Sequence, residues 1–504
     1  MKIIALLVAV AAFSYSLLNT INEPGASAEH EAPAAAAVNI VTQAFPAPNS
    51  AMSLPDTDLR LMLREPLNQS DFESEALSVF GRWSGVVEGT VTLEAGGTEI
   101  RFVPSEPFQA GESVTAALRA KVPTAGGSTD TQGYAWSFWI RPAEGSLDLA
   151  NLGARTVLAE GEEHVQPYGA YAGDFNEDGL PDLAIPNEVS ADVRVMINDG
   201  NGNYSEFEVL EMPGGNWPSP NEGADFDRDG ITDFVVGNAG NDLVSMFIGD
   251  GRGGFRMSGN TAAAQNVRGV CIMDLNADGW PDVATVNMGR RNDERTAGSV
   301  SILLNDRQGR LVRTGTIESP GSGEKTCATA DANEDGIPDL LVGAYGSDEV
   351  LLFLGDGHGG LALETRVNAG GNPWMVVAGD INGDGHVDAI SANRTGDNVA
   401  VLFGDGAGGL AAPVTYPVSG DPLAVDVGDI DGDGDLDVVT SEYAGDRFTI
   451  YENAGDGTLI NPRWLPSSGS GSCAIIHDRD RDGDLDITGV DEKTDNILLF
   501  ENTG

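Results

Sequence analysis

Asp174-Phe175-Asn176-Glu177-Asp178-Gly179-Leu180-Pro181-Asp182 decides how the rest of this chain is read. The same nine-residue pattern returns at 225–233, 274–282, 331–339, 380–388, 429–437 and 478–486, at start-to-start intervals of 51, 49, 57, 49, 49 and 49 residues. Every copy has Asp at position 1, Asn or Asp at 3, Asp at 5, Gly at 6 and Asp at 9. Seven matches to a five-point template at near-constant spacing define an internal repeat, and such a repeat governs the fold. The one long interval holds a charged insertion around 289–296.

The flanks repeat as well. A small, apolar stretch such as Ala424-Val425-Asp426-Val427 precedes each copy, and a β-branched run such as Val438-Val439-Thr440 follows it. A second apolar run, for example Val399-Ala400-Val401-Leu402-Phe403, leads into a Gly-Asp-Gly turn (249–251, 355–357 and 404–406). Four short strands per 49-residue unit, punctuated by glycine turns, predict an all-β, seven-bladed β-propeller over 143–504. The alternative, a parallel β-helix, has far shorter rungs. Only two strands, 487–490 and 496–501, follow the seventh loop. The ring is therefore expected to close by pairing 155–159 with 497–500, which removes a free sheet edge.

Calcium takes six to eight oxygen ligands, and an acidic loop supplies them from positions 1, 3 and 5 and from a backbone carbonyl at 7. With the Asp at position 9, the first predicted set is Asp174, Asn176, Asp178, Leu180 and Asp182, Leu180 acting through its carbonyl. The next two are Asp225, Asp227, Asp229, Ile231, Asp233 and Asp274, Asn276, Asp278, Trp280, Asp282. The fourth and fifth are Asp331, Asn333, Asp335, Ile337, Asp339 and Asp380, Asn382, Asp384, His386, Asp388. Asp429, Asp431, Asp433, Asp435, Asp437 and Asp478, Asp480, Asp482, Asp484, Asp486 complete the seven. Gly at position 6 permits the sharp turn that folds the carboxylates around one point. Position 12 is Ile185, Val236 and Thr285 in the first three copies, not the Glu of an EF-hand. The competing reading is a hairpin turn with solvated charges. About seven structural Ca²⁺ ions are expected, offsetting 14 of the 50 excess negative charges.

Composition narrows function. Lys+Arg 28 against Asp+Glu 78 gives −50, which repels nucleic acid and anionic membrane. Residues 1–28 read as a secretory signal: Lys2, an apolar run from Ile3 to Phe13, and Ala26-Ser27-Ala28 at the cleavage point. An uncleaved anchor reaching Leu18 is the alternative. Residues 29–37 read as a linker. The mature chain is expected to be secreted or held at the cell surface, without an integral membrane span. Residues 38–142 have a looser alternation, with Leu59-Arg60-Leu61-Met62-Leu63, Ile100-Arg101-Phe102 and Trp136-Ser137-Phe138-Trp139, and suit an immunoglobulin-like sandwich of about seven strands. Trp136 and Trp139 are read as core.

The D-x-[ND]-x-D-G-x-x-D loops with Gly-Asp-Gly-x-Gly-Gly turns resemble the FG-GAP/VCBS repeats, whose calcium-loaded propellers include the head of integrin α-subunits. The resemblance covers roughly 145–504. It implies that the ions are structural, that the loops join the first two strands of a blade, and that ligand binds the opposite face. The F-x-P…P-F-x-A-G-E pattern of 102–112 and the terminal W-x-F resemble bacterial surface-layer Ig-like domains, which act as spacers or binding modules.

No G-x-S-x-G elbow or H-E-x-x-H motif occurs. His164, His358, His386 and His477 are scattered, and Cys271, Cys327 and Cys473 precede their loops as small, buried residues of inner strands. One cluster could hold a ligand: Tyr168, Trp217, Arg268, Lys325 and Trp374 stand six to eight residues before their loops, where inner strands begin. Aromatic and cationic groups around a central opening suit a sugar; packing between blades is the competing reading. The function expected is a non-enzymatic binding or adhesion module for an extracellular glycan or protein. Alternatives are a polysaccharide lyase-like enzyme using Lys325 or Arg268, and a structural surface-layer component.

Overall fold

The computed structural model describes residues 38–504 apart from 130 and 292, so the expected signal and linker lie outside the described residues. Seven four-stranded antiparallel sheets follow one another through the repeat region. In the second unit the strands are Pro218–Ala224, Asp233–Asn238, Leu243–Gly249 and Phe255–Ala262, paired in sequence order. The acidic loop joins the first strand to the second, and the Gly-Asp-Gly turn joins the third to the fourth. Second strands are buried end to end, as Asp233–Asn238 and Asp388–Asn393 illustrate, because sheets pack on both their faces. Among the described residues there is no α-helix, and no helix is long and apolar enough to cross a membrane.

The first strand of each of units two to six packs on that of the next. A recurring hydrogen bond staples them. The backbone carbonyl at position 2 of each acidic loop accepts a donor from the following unit. Asn305 Nδ2 donates to Phe226 (2.8 Å), Asn453 Nδ2 to Ile381 (2.7 Å) and Asn502 Nδ2 to Ile430 (3.0 Å). Where a glycine replaces that Asn, a backbone N–H takes over: Gly253 to Phe175, Gly359 to Leu275 and Gly408 to Ala332. The seventh staple runs from Asn198 Nδ2 of unit one to Arg479 of unit seven (2.8 Å), so the series returns on itself. The arrangement is propeller-like.

Closure uses the N-terminal strand, displaced from its expected position. Ala150–Thr156, not 155–159, is the fourth strand of the seventh sheet, with Ile497 opposite Arg155 and Phe500 opposite Asn151. The strand is mostly exposed on the outer edge, so it carries no apolar alternation to read, whereas buried Val157 had marked the wrong stretch.

Residues 38–140 form two further four-stranded sheets that share one core, including Leu59, Leu61, Phe102, Val114, Trp136 and Phe138. Trp136 lies in that core. Trp139 instead packs on Ile381 and Leu436 of the ring. Residues 38–504 behave as a single compact unit because this sandwich rests on the loop end of the ring. Arg82 reaches in to pair with Asp426 (2.9 and 3.0 Å), and Trp83 is buried among ring residues.

A disulfide joins Cys271 to Cys327, whose Cα atoms are 6.1 Å apart. The expectation of three buried thiols holds only for Cys473. Adjacent first strands run side by side at the inner radius, which places two residues 56 apart in sequence at bridging distance.

Candidate functional site

The seven loops are built alike. Position 4 takes a left-handed conformation (Glu177 φ 60°, Arg228 59°, Ala277 54°, Glu334 58°), and Gly at position 6 also has positive φ, 84° at Gly179. This double reversal turns the position-6 N–H onto the position-1 carboxylate, as Gly279 to Asp274 (2.7 Å) and Gly385 to Asp380 (2.8 Å) show. The position-7 N–H bonds the position-5 carboxylate, as in His386 to Asp384 (2.9 Å). Position 9 is a bracket: one oxygen accepts the position-2 N–H and the other an N–H at the end of the third strand. Asp182 holds Phe175 and Asn198 in this way, and Asp388 holds Ile381 and Gly404.

Such packing crowds carboxylates away from water. Burial pushes Asp182, Asp339 and Asp388 up to about 7 and Asp233, Asp282, Asp437 and Asp486 up to about 8. At position 1, burial raises Asp225 and Asp274 to about 6 and Asp331 and Asp478 to about 7, opposed by the Gly N–H. Carboxylate oxygens converge to within 4.8 Å in Asp225/Asp227/Asp229, in Asp429/Asp431/Asp437 and in Asp478/Asp480/Asp482. Buried Oδ1 atoms of Asp227, Asp429, Asp435, Asp478 and Asp484 accept no hydrogen bond. Clustered hard oxygen donors lacking proton donors fit a hard divalent cation. Asp435 and Asp484, expected to offer only carbonyls, also turn their side chains into loops six and seven, and burial raises both to about 7.

The sandwich and the segment after it touch every loop. Ala120 N donates to Ala277, Ala135 N to Gly336, Ala143 N to Gly483 (each 2.7 Å) and Gly145 N to Asp431 (2.9 Å). Asn49 Nδ2 reaches Gly385 (2.9 Å) and Gln109 Nε2 reaches Gly179 (3.1 Å), while Arg228 Nη2 of loop two reaches Glu75 (3.5 Å).

At the opposite end the predicted cluster assembles. Trp374 Nε1 donates to Tyr168 OH (2.8 Å) across the opening. Lys325 Nζ lies 4.3 Å and the Arg394 guanidinium 4.5 Å from the Trp374 ring centroid. Arg268 pairs with Glu188 (3.5 Å) and Lys325 with Glu294 (3.0 Å). Burial and the nearby Arg268 lower Lys325 to about 8. Trp217 stands apart from these, 37% exposed, with Arg291 stacked 4.2 Å from its centroid. The aromatic groups thus meet one another more than they line an open funnel.

A second ring escaped sequence reasoning. Glu188, Met288, Tyr345, Arg394, Tyr443 and Glu492 each lie fourteen residues after the first Asp of their loop. That fixed offset brings the end of every second strand beside the start of the first. Gln166 Nε2 links Glu188 (2.8 Å) to Glu492 (3.0 Å), and Tyr443 OH donates to Glu492 (3.2 Å). The insertion, whose sequence shows no more than a charged loop, supplies Arg291 and Glu294 to this end.

The stapled sheets and their recurring loops define an all-β, propeller-like repeat protein. Residues 174–236, 225–285, 274–342, 331–391 and 380–440 match the model of the FG-GAP-like repeat, and the chain belongs to that family. Among solved structures, it is similar to an Agrocybe aegerita lectin described as recognising non-reducing terminal N-acetylglucosamine: 16% identity, TM-score 0.42, 78% of this chain and 90% of that one. A Lactobacillus plantarum protein matches at 13% identity and TM-score 0.45, over 79% of this chain and 98% of its own.

Proposed function

We propose that this chain is an exported, seven-bladed, calcium-loaded propeller carried behind an immunoglobulin-like sandwich, and that it acts as a binding or adhesion module for an extracellular glycan or surface protein. The ions would be held by side chains at positions 1, 3, 5 and 9 and by the carbonyl at 7, with Asp435 and Asp484 adding carboxylates. A bound cation supplies the positive charge that crowded, buried carboxylates lack. The inner-strand disulfide agrees with an oxidising, extracytoplasmic setting.

The observation that carries the reading is the asymmetry of the two ends. Hydrogen bonds from the N-terminal region engage all seven loops at one end. Aromatic and charged side chains from the start of first strands and the end of second strands gather at the other. A lyase would need a free base. The Lys325 ammonium is instead enclosed by Met288, Glu294, Tyr345 and Trp374. The test is a glycan array and a panel of surface proteins probed with the calcium-loaded full chain and with the Trp217→Ala/Arg291→Ala variant. Ligands lost by the variant support the reading. Unsaturated, ultraviolet-absorbing products from acidic polysaccharide would replace it with the lyase.

A further inference from the structure

We infer that the insertion at 289–296 builds a saccharide subsite, beside the Lys325 and Trp374 cluster, for a neutral sugar presenting neighbouring hydroxyl groups. The inference rests on the binding-module reading and gives it a place and a ligand class. A cavity of about 590 Å³ lies between the insertion and the fourth and fifth units, lined by Asp293, Glu294, Arg295, Tyr345, Gly346 and Asn372. That volume lies in the range of small-ligand sites. The insertion belongs to the only interval of 57 residues in a series of 49 and 51, so the cavity is an addition to the repeat and not a product of it.

The lining chooses the ligand. It offers two carboxylates, an amide, a phenol and a guanidinium, and no aliphatic side chain, which excludes a lipid or other apolar guest. Two acids against one guanidinium disfavour a phosphate or sulfate. Carboxylates accept from vicinal hydroxyls, while amide, phenol and guanidinium N–H and O–H groups donate to hydroxyl and ring oxygens, a pairing that suits a hydroxyl-rich molecule.

The walls are also fixed in advance. Lys325 Nζ holds Glu294 (3.0 Å), and Asn372 Nδ2 holds the Tyr345 carbonyl (2.6 Å). Tyr345 meets Trp374 edge-to-face at 5.3 Å. Thr296 Oγ1 donates to the Asp293 carbonyl (2.8 Å) and accepts from Arg290 N (3.0 Å), which staples the insertion to itself. A site whose groups are already ordered loses little freedom on binding.

The experiment uses the calcium-loaded full chain with neutral, uronate-containing and sulfated oligosaccharides on one array, followed by titration calorimetry on the best neutral binder. Asp293→Asn, Asn372→Ala and a variant with 289–296 shortened to a two-residue link should each weaken that binder by about tenfold or more, with unchanged melting temperature for Asp293→Asn. Neutral binding that survives Asp293→Asn and Asn372→Ala but is lost in Trp217→Ala overturns the subsite and leaves the binding-module reading standing. Binding restricted to uronates or sulfates overturns the assignment of ligand class. Binding to proteins but to no glycan overturns the subsite, and binding to neither overturns both.

Discussion

Two aspartates four residues apart in the fifth loop should behave oppositely when calcium is withdrawn. Asp388 is fully buried and accepts Ile381 N (3.1 Å) and Gly404 N (2.7 Å). Asp388→Ala orphans both N–H groups at about 1–3 kcal/mol each, so it should cost about 2–6 kcal/mol even in chelator, and more in calcium, where a position-9 ligand is lost as well. Asp384 is exposed at position 5, and its charge adds to the repulsion that raises Asp380 beyond the effect of burial. Asp384→Asn keeps the shape and removes that charge. In chelator it should therefore be neutral or slightly stabilising. At a calcium concentration a hundredfold above Kd it should forfeit about 2.7 kcal/mol of linkage at that loop. Thermal melts of both variants in calcium and in chelator, with stoichiometry from calorimetry, decide the matter. If the parent binds no ions, or Asp384→Asn costs the same in chelator as in calcium, the loops are solvated turns and the metal argument fails.

Three other outcomes are expected. Chelated protein should lose stability as pH rises from about 4 to 8: the position-9 acids, raised to about 7 or 8, keep their protons in the folded chain while the unfolded chain has released them near 4, so the folded state binds more protons across that window. Calcium should flatten this slope in melts followed across the range. Cys271→Ser/Cys327→Ser should lower stability by about 4 kcal/mol from the closed loop between two residues 56 apart, and thiol titration of the unfolded, unreduced parent should count one free Cys. Removing 147–163 should strongly lower the melting temperature, since the third strand of the seventh sheet, with Leu498 and Phe500, loses its outer partner.

What the sequence made legible was whatever repeats. Position 6 must be Gly because its φ, 82° to 104° across the loops, lies beyond the left-handed well that position 4 can fill with Glu, Arg or Ala, and position 9 must be Asp because two backbone N–H groups need one carboxylate; both leave a fixed mark at a fixed spacing. The clasp strand left none, being exposed on one edge with no face to bury. The disulfide was hidden because its partners are neighbours in radius and not in sequence. The ring of side chains fourteen residues into each repeat was present in the text, but its members share a position and not a residue type: Glu188, Met288, Tyr345 and Arg394 have no chemistry in common. The docking of the sandwich was the least visible. Its bonds fall largely on backbone carbonyls, which any residue supplies.

That docking has a consequence for how such a molecule can change over generations. Taken alone, a circle of near-identical modules tolerates duplication or loss of one member with modest readjustment. Here the N-terminal region lays a different atom against each of the seven, so the modules stopped being interchangeable once the sandwich settled on them. An eighth member, or a missing one, would put every later contact out of step. The number seven is held by the passenger as well as by the wheel.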